Sequence, residues 1–201
     1  MAHQASLIFN NTLRVNSSKI PVGIHTNCTV ESVVLGDKFF DINFKNDVGE
    51  VHNKRLWAPN GNYPKKLDDG TIETKEMAVT REEVNNLAHV IKLIHIFLGD
   101  EGISKFPALE YEAFLKKAVE VLTPKLSTQT VNLKLIYDAD GMYSTFGNFP
   151  DYMERHIEGV EPNLKFSKWE LENRFTKKEK PNNTLGESTS KEDLANALKQ
   201  Q

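Results

Sequence analysis

Val22-Gly-Ile-His-Thr-Asn-Cys-Thr-Val-Glu-Ser-Val-Val-Leu35, Gly36-Asp37-Lys38, Phe39-Phe-Asp-Ile-Asn-Phe-Lys45, Asn46-Asp47-Val48-Gly49 and Glu50-Val-His-Asn-Lys-Arg-Leu-Trp57 follow one another without a break, and their reading decides the fold. Three runs rich in β-branched and aromatic residues are separated by two clusters of Gly, Asp and Asn, the pattern of a three-stranded antiparallel meander. Side chains alternate along a strand, so in the middle run Phe40, Ile42 and Phe44 share one face while Phe39, Asp41, Asn43 and Lys45 share the other. The first set is expected in the core. The second carries an aromatic ring, polar groups and a base, and the third run follows it with His52, Lys54, Arg55 and Trp57. Chemically, that set suits a charged polymer of flat rings.

Outward from the meander, residues 1–20 read as an N-terminal arm with one short apolar run, Leu7-Ile8-Phe9, as an edge-strand candidate. On the other side, Ala58 to Met77 holds Pro59-Asn60-Gly61, Pro64-Lys65-Lys66 and Asp68-Asp69-Gly70, three turn signals in succession. A long loop is expected there, and long loops in compact domains are usually functional or disordered. Thr80-Arg-Glu-Glu83 reads as a capping box opening a helix, with Val84, Leu87, Ala88, Ile91, Ile94 and Leu98 at helical spacing and Gly99 as its stop. A second helix is expected from about Ala108 to Leu122, ended by Pro124.

Strand character returns in Thr130 to Tyr137, where Val131, Leu133 and Leu135 alternate with Asn132, Lys134 and Ile136. Asp138-Ala-Asp-Gly141 turns the chain back through Met142 to Phe146, a hairpin. Asp151 to Pro162 reads as an acidic and polar excursion, and Leu164 to Leu171 as the last strand. The main domain then spans residues 21–175. From Thr176 the chain is Lys, Glu, Asn, Ser and Thr, so residues 176–201 are expected to be a flexible tail, with a short terminal helix candidate around Leu194 and Leu198.

Composition limits the functions on offer. A chain of 201 residues fits one domain with a tail. Its formal charge of −3 excludes a uniformly basic nucleic-acid binder, so a basic site has to be a local patch. No apolar run approaches the roughly 18 residues of a membrane span, and the start lacks the pattern of a secretory signal. Cys28 is the single cysteine, which rules out an intrachain disulfide and suits a reducing cytoplasm. His89 and His95 stand six apart, not at the spacing of four that a helical zinc pair needs, and no metal or cofactor is expected. With no Gly-x-Ser-x-Gly elbow and no phosphate loop, catalysis has no support.

Three strands, two helices, a hairpin and a last strand give an α+β fold: a five-stranded antiparallel barrel of the OB type, elaborated with two helices between strands three and four. Such barrels bind single strands by combining a basic groove with aromatic faces, each stacked base being worth about 1–3 kcal/mol. Phe39, Trp57, Tyr63, Tyr143 and Trp169 are the stacking candidates, and Lys45, Lys54, Arg55, Lys65, Lys66, Lys134, Lys165 and Lys168 the sources of charge. Any one of the aromatics is by size also a core residue, and each lysine alone is an ordinary solvated side chain. The signal is their concentration.

Pro21-Val-Gly-Ile-His25 leading to Val30-Glu-Ser-Val33, Phe39-Phe-Asp-Ile-Asn-Phe44 and Lys54-Arg-Leu-Trp57 resembles the start of the OB-fold single-stranded-DNA-binding proteins of tailed bacteriophages, particularly the crAss-like group. Val131-Asn-Leu-Lys-Leu-Ile-Tyr137, Asp140-Gly141, Phe149-Pro150 and Leu164-Lys-Phe-Ser-Lys168 are similar to the second half of that family. The resemblance implies a non-catalytic protein of the host-cell cytoplasm. It would coat single-stranded DNA with little sequence preference during phage DNA replication or recombination, and would meet other replication proteins through its tail. That tail ends Leu198-Lys-Gln-Gln201, where many single-strand binders carry a run of acids. The alternative from another class is a phage structural or assembly protein that uses a similar barrel to bind protein.

Overall fold

The computed structural model describes residues 19–104, 106, 110–147 and 149–178. The meander is present as β1 (Gly23–Gly36), β2 (Phe39–Lys45) and β3 (Val51–Trp57). Its register places Phe39 opposite Trp57, Asp41 opposite Arg55 and Asn43 opposite Asn53. Phe40, Ile42 and Phe44 are buried, as their alternation requires.

At 14 residues β1 is twice as long as its neighbours, because it serves two partners. Its second half pairs with β2, and its first half pairs antiparallel with β4 (Val131–Tyr137). The two halves meet where the β1–β4 register shifts, between His25 and Cys28, and Asn27 takes a positive φ of 56° there. Asparagine is among the few side chains that tolerate this left-handed conformation.

After β4 come β5 (Ser144–Phe146) and β6 (Met153–Arg155), both paired with β4, giving a sheet of six strands rather than the expected five. The sheet is open among the described residues, with β3 and β5 at the ends of the path β3-β2-β1-β4-β5. Those ends are tied by short bonds. Ile20 N donates to Val51 O at 3.2 Å, and Ser144 Oγ donates to Ile20 O at 2.9 Å. His52 Nδ1 accepts from Asn53 N, which leaves the proton on Nε2 to bond Ser144 O at 3.1 Å. Of the expected arm, only Lys19 and Ile20 are described, and Leu7-Ile8-Phe9 lies outside the described residues.

Helix α1 (Lys75–Ser104) begins five residues before the expected start at Thr80. Thr74 Oγ1 caps Met77 N at 3.3 Å, whereas the Thr80 hydroxyl donates back to Glu76 O, the bond a mid-helix threonine makes. Gly99, at φ 68°, interrupts the helical geometry close to the expected stop. Helix α2 (Tyr111–Leu122) runs into a short 3-10 turn holding Pro124; its expected first residues, Ala108 and Leu109, lie outside the described residues. Val90, Leu93, Ile94 and Phe97 of α1 and Leu115, Ala118 and Leu122 of α2 join the sheet residues in one core. Cys28 is in it too, and burial pushes its thiol pKa up to about 12. No described helix is long and apolar enough to cross a membrane.

Two expectations for the second half are corrected. Tyr152 and Met153 are fully buried, and the Asp151–Pro162 segment supplies β6 where a polar excursion was expected. Leu164 to Leu171 is not a strand: an unpaired stretch leads to helix α3 (Lys168–Arg174). Ser167 and Glu170 close a capping box at its start, a local bond pattern that favours helix over strand here. Helix α3 lies over β4, so all of Val131–Ile136 are buried and the alternation in that strand marks two interior faces. Past α3 the chain returns to the β4–β5 turn, where Lys178 N donates to Gly141 O at 3.0 Å. Residues 179–201, with the terminal helix candidate, lie outside the described residues.

Lys134 is the further correction. Instead of lining a groove it is 3 % exposed, with Nζ 3.1 Å from Glu170 Oε2 and 3.0 Å from Lys165 O, and Glu170 is 1 % exposed. Removing one member of a buried ion pair strands the other and costs about 3–5 kcal/mol, whereas replacing both by apolar side chains is often neutral. Lys134→Met is therefore expected to lower stability in urea unfolding by about that amount. The double change Lys134→Met with Glu170→Gln, which removes the stranded charge and keeps an oxygen for Ser167 N, should recover part of the loss, and a double variant no more stable than the single one would show that a stranded Glu170 charge is not the source of the loss.

Candidate nucleic-acid interface

The register of β2 and β3 puts Phe39, Asp41 and Asn43 beside Trp57, Arg55 and Asn53 on the face turned away from the core. Asn53 Nδ2 donates to Asn43 Oδ1 and Asn43 Nδ2 to Ser32 Oγ, a short amide ladder across three strands. Arg55 donates from Nε and Nη2 to the two oxygens of Asp41 at 2.8 and 2.6 Å. Its guanidinium also lies 4.2 Å from the Phe39 ring centroid and 5.1 Å from that of Trp57. Arg55 was expected to supply free charge. In the structure its charge is matched by Asp41, and it acts as a flat spacer holding two rings at a sheet edge.

The other side of β3 is different. Lys54 projects toward the core side, 5.3 Å from the Phe146 ring centroid and 5.7 Å from that of Tyr152. Among the described residues it has no carboxylate within ion-pair distance, and burial lowers its pKa. A half-buried cation without an anion is costly, so this ammonium is a ready receiver for one. His89, from α1, stands nearby, its Nδ1 2.9 Å from the Tyr152 hydroxyl and its ring 5.0 Å from that of exposed Phe149.

Between β3, the 58–74 loop and α1 lies an open cleft of about 370 Å³, lined by Lys54, Trp57, Tyr63, Glu82, Asn86 and His89 among others. Trp57 is 61 % and Tyr63 76 % exposed, which removes both from the core. The loop is held by side chains of the helix. Arg81 binds Glu73 Oε1 at 3.0 Å and Tyr63 O at 2.7 Å; Glu82 Oε2 accepts from Asn60 N and Gly61 N; Asn86 Nδ2 donates to Trp57 O and to Tyr111 Oη. Gly61 has a φ of 66°, and a Cβ there would stand 2.7 Å from Lys75 O, so the loop passes the helix start only as glycine. A separate recess of about 360 Å³ lies between the β1–β2 turn and α2. Apolar Leu35, Phe40 and Leu115 share its lining with Asp37, Glu112 and Lys116, and two acids to one base disfavour a polyanion.

The structure thus brings Lys54, Arg55, Trp57 and Tyr63 to one cleft, with Phe39 behind them. Lys65 and Lys66 are exposed on the loop that carries Tyr63. The remaining candidates are elsewhere. Lys45 ends β2 and pairs with Glu31; exposed Tyr143 stands under Lys19 near the β4–β5 turn; exposed Trp169 packs against Arg174 on α3. Lys168 faces Glu172, and exposed Lys165 precedes α3. Arg81, Glu82 and Asn86 are not among the binding candidates read from the sequence, and His89 figures there only in a zinc pair that its spacing excludes. A signal existed: Glu82, Asn85, Asn86 and His89 recur at helical spacing and form a polar stripe down one side of α1. Compared with family models, with curated proteins and with solved structures, the chain returns no match.

Burial holds both His52 and His89 neutral, lowering each imidazole from 6.5 to about 4. The unfolded chain takes up protons at these two positions that the folded chain refuses, so stability is complete above pH 6.5 and lost progressively toward pH 4. The melting temperature should fall across that window, and His89→Gln should flatten the slope. A melting temperature independent of pH in this range would contradict the buried neutral rings.

Proposed function

We propose that the protein binds single-stranded DNA with little overall sequence preference, by stacking bases on Trp57 and Tyr63 and receiving a phosphate near Lys54. The observation that carries this reading is the convergence on one cleft of two exposed rings and an ammonium that no carboxylate among the described residues pairs. Stacking accepts any base, because every base has a π face. With a formal charge of −3, attraction has to act at short range inside the cleft. An OB-like barrel is the fold reading we favour. In its support, β1 pairs with both β2 and β4, and Ile20 and His52 tie β3 to β5. The resemblance to phage single-strand binders supplies the setting, a non-catalytic coat protein in DNA replication or recombination that meets other replication proteins through its tail. The second reading, an assembly protein, is favoured by exposed Leu171 and Phe175, four apart at the end of α3, apolar side chains of the kind that mark protein contacts.

Binding of a mixed-sequence single strand, followed by tryptophan fluorescence, tests the first reading. Log affinity should fall linearly with log salt, by about 0.7 for each neutralised phosphate. Trp57→Ala should weaken binding by about 1–3 kcal/mol with the melting temperature nearly unchanged. Flat salt dependence, or tighter binding to duplex than to single strand, would refute it.

A further inference from the structure

Phe149 is 46 % exposed and yet held in place. Gly147 N donates to Lys134 O at 3.0 Å and Lys134 N donates to Tyr152 O at 2.8 Å, so both flanks of Phe149 are pinned to one residue of β4. Its ring stands edge-on to that of His89, with centroids 5.0 Å apart and planes at 78°, and 6.4 Å from the ring of fully buried Tyr152. A single exposed ring is ordinary on a protein surface. This one packs against a wall of the cleft, because His89 lines the cleft together with Lys54, Trp57 and Tyr63.

Helix α1 sets the order of groups along that cleft. Arg81 holds the Tyr63 carbonyl, Asn86 holds the Trp57 carbonyl, and His89 meets Tyr152 and Phe149. At 1.5 Å per residue, Arg81 to His89 spans about 12 Å of helix. Strand β3 runs the opposite way. Trp57 is tied to Asn86, and Lys54, about 10 Å back along the strand, lies over Tyr152, whose hydroxyl His89 bonds. Tyr63 and Trp57 therefore stand toward one end of the cleft and Lys54 and His89 toward the other, and Phe149 adjoins the second end.

We propose that Phe149 is a further base platform, which extends the single-strand site past Lys54 at the His89 end of the cleft. The inference rests on the single-strand reading above and adds a third ring to Trp57 and Tyr63. A strand stacked at Trp57 with a phosphate at Lys54 reaches Phe149 with its next bases. The flanks of the ring and its inner side are already fixed, so it offers its exposed side with little loss of freedom on binding.

Affinity measured as a function of oligo(dT) length, from about 4 to about 16 nucleotides, is the test. For the unaltered chain affinity should rise with length to a plateau. Phe149→Ala should match it for the shortest oligomers, which Trp57 and Tyr63 accommodate, and fall about tenfold short on the plateau, the worth of one stacked base. Trp57→Ala should instead weaken binding at every length. Phe149→Leu keeps an apolar side chain against His89 and Tyr152 but loses the flat ring, so it should bind long oligomers as weakly as Phe149→Ala, whereas Phe149→Tyr should bind them like the unaltered chain. Equal affinity of Phe149→Leu and the unaltered chain at every length would overturn this inference and leave the single-strand reading standing. A loss as large for the shortest oligomers as for the longest would also overturn it, since Phe149 would then not lie beyond Lys54. Absence of binding by the unaltered chain at all lengths would overturn both readings. Should Phe149→Ala fail to fold, the leucine and tyrosine variants still decide.

Discussion

The double pairing of β1 is the constraint on which the rest depends. One half of this strand holds β2 and β3 and the other holds β4, with the change of direction at Asn27 between them. That turn of the sheet brings β3 round toward β5, close enough for His52 to reach Ser144 and for Lys54 to lie over Phe146. It also separates two faces of β3 with different chemistry. The outward side offers rings and a neutralised arginine; the inward side delivers a lysine to the floor of a cleft. A strand serving a single partner would leave Lys54 on an ordinary solvated face.

Charge at the site is arranged by pairing as much as by number. Arg55 is fully matched by Asp41, Lys134 is spent on Glu170 inside the fold, and Lys45 and Lys168 face acids at the surface. Exposed pairs of the last kind contribute little to stability. Lys54 stands apart, half-buried against aromatic rings and near a histidine that burial keeps neutral. The chain retains this cost together with a second one, a buried Glu82 oxygen with no hydrogen-bond partner among the described residues. Both residues line one cleft, and costs of this kind gather at functional sites.

The meander was legible because its signals were redundant: alternation in Phe39–Lys45 and two Gly-containing turns agree on strands and register. The hairpin at Asp138–Gly141 was readable for the same reason, with Asp138 Oδ1 capping Met142 N in the turn. Capping signatures misled in one place and were overlooked in another. Thr80-Arg-Glu-Glu83 matches the box but sits inside a helix already begun at Lys75, while Ser167-Lys-Trp-Glu170, an equally good match, starts a helix in a segment whose alternation suggested a strand. Nothing local separates the two, since burial of Glu170 against Lys134 is settled by tertiary contact. The same contact hid the fate of Lys134, which alternation placed on a polar face that α3 covers. At the cleft, Trp57 and Lys54 were recognisable from the strand. Glu82, Asn86 and His89 required knowing which side of α1 meets the 58–74 loop.

Amide hydrogen exchange, measured with and without a saturating single strand, tests the location of the site most directly. Slowed exchange should concentrate in residues 54–63 and 81–89, the two sides of the cleft. Residues 139–143 and 168–174, which carry Tyr143 and Trp169, should be unchanged. Protection confined to those two segments, with the cleft unaffected, would contradict a site built on Trp57, Tyr63 and Lys54.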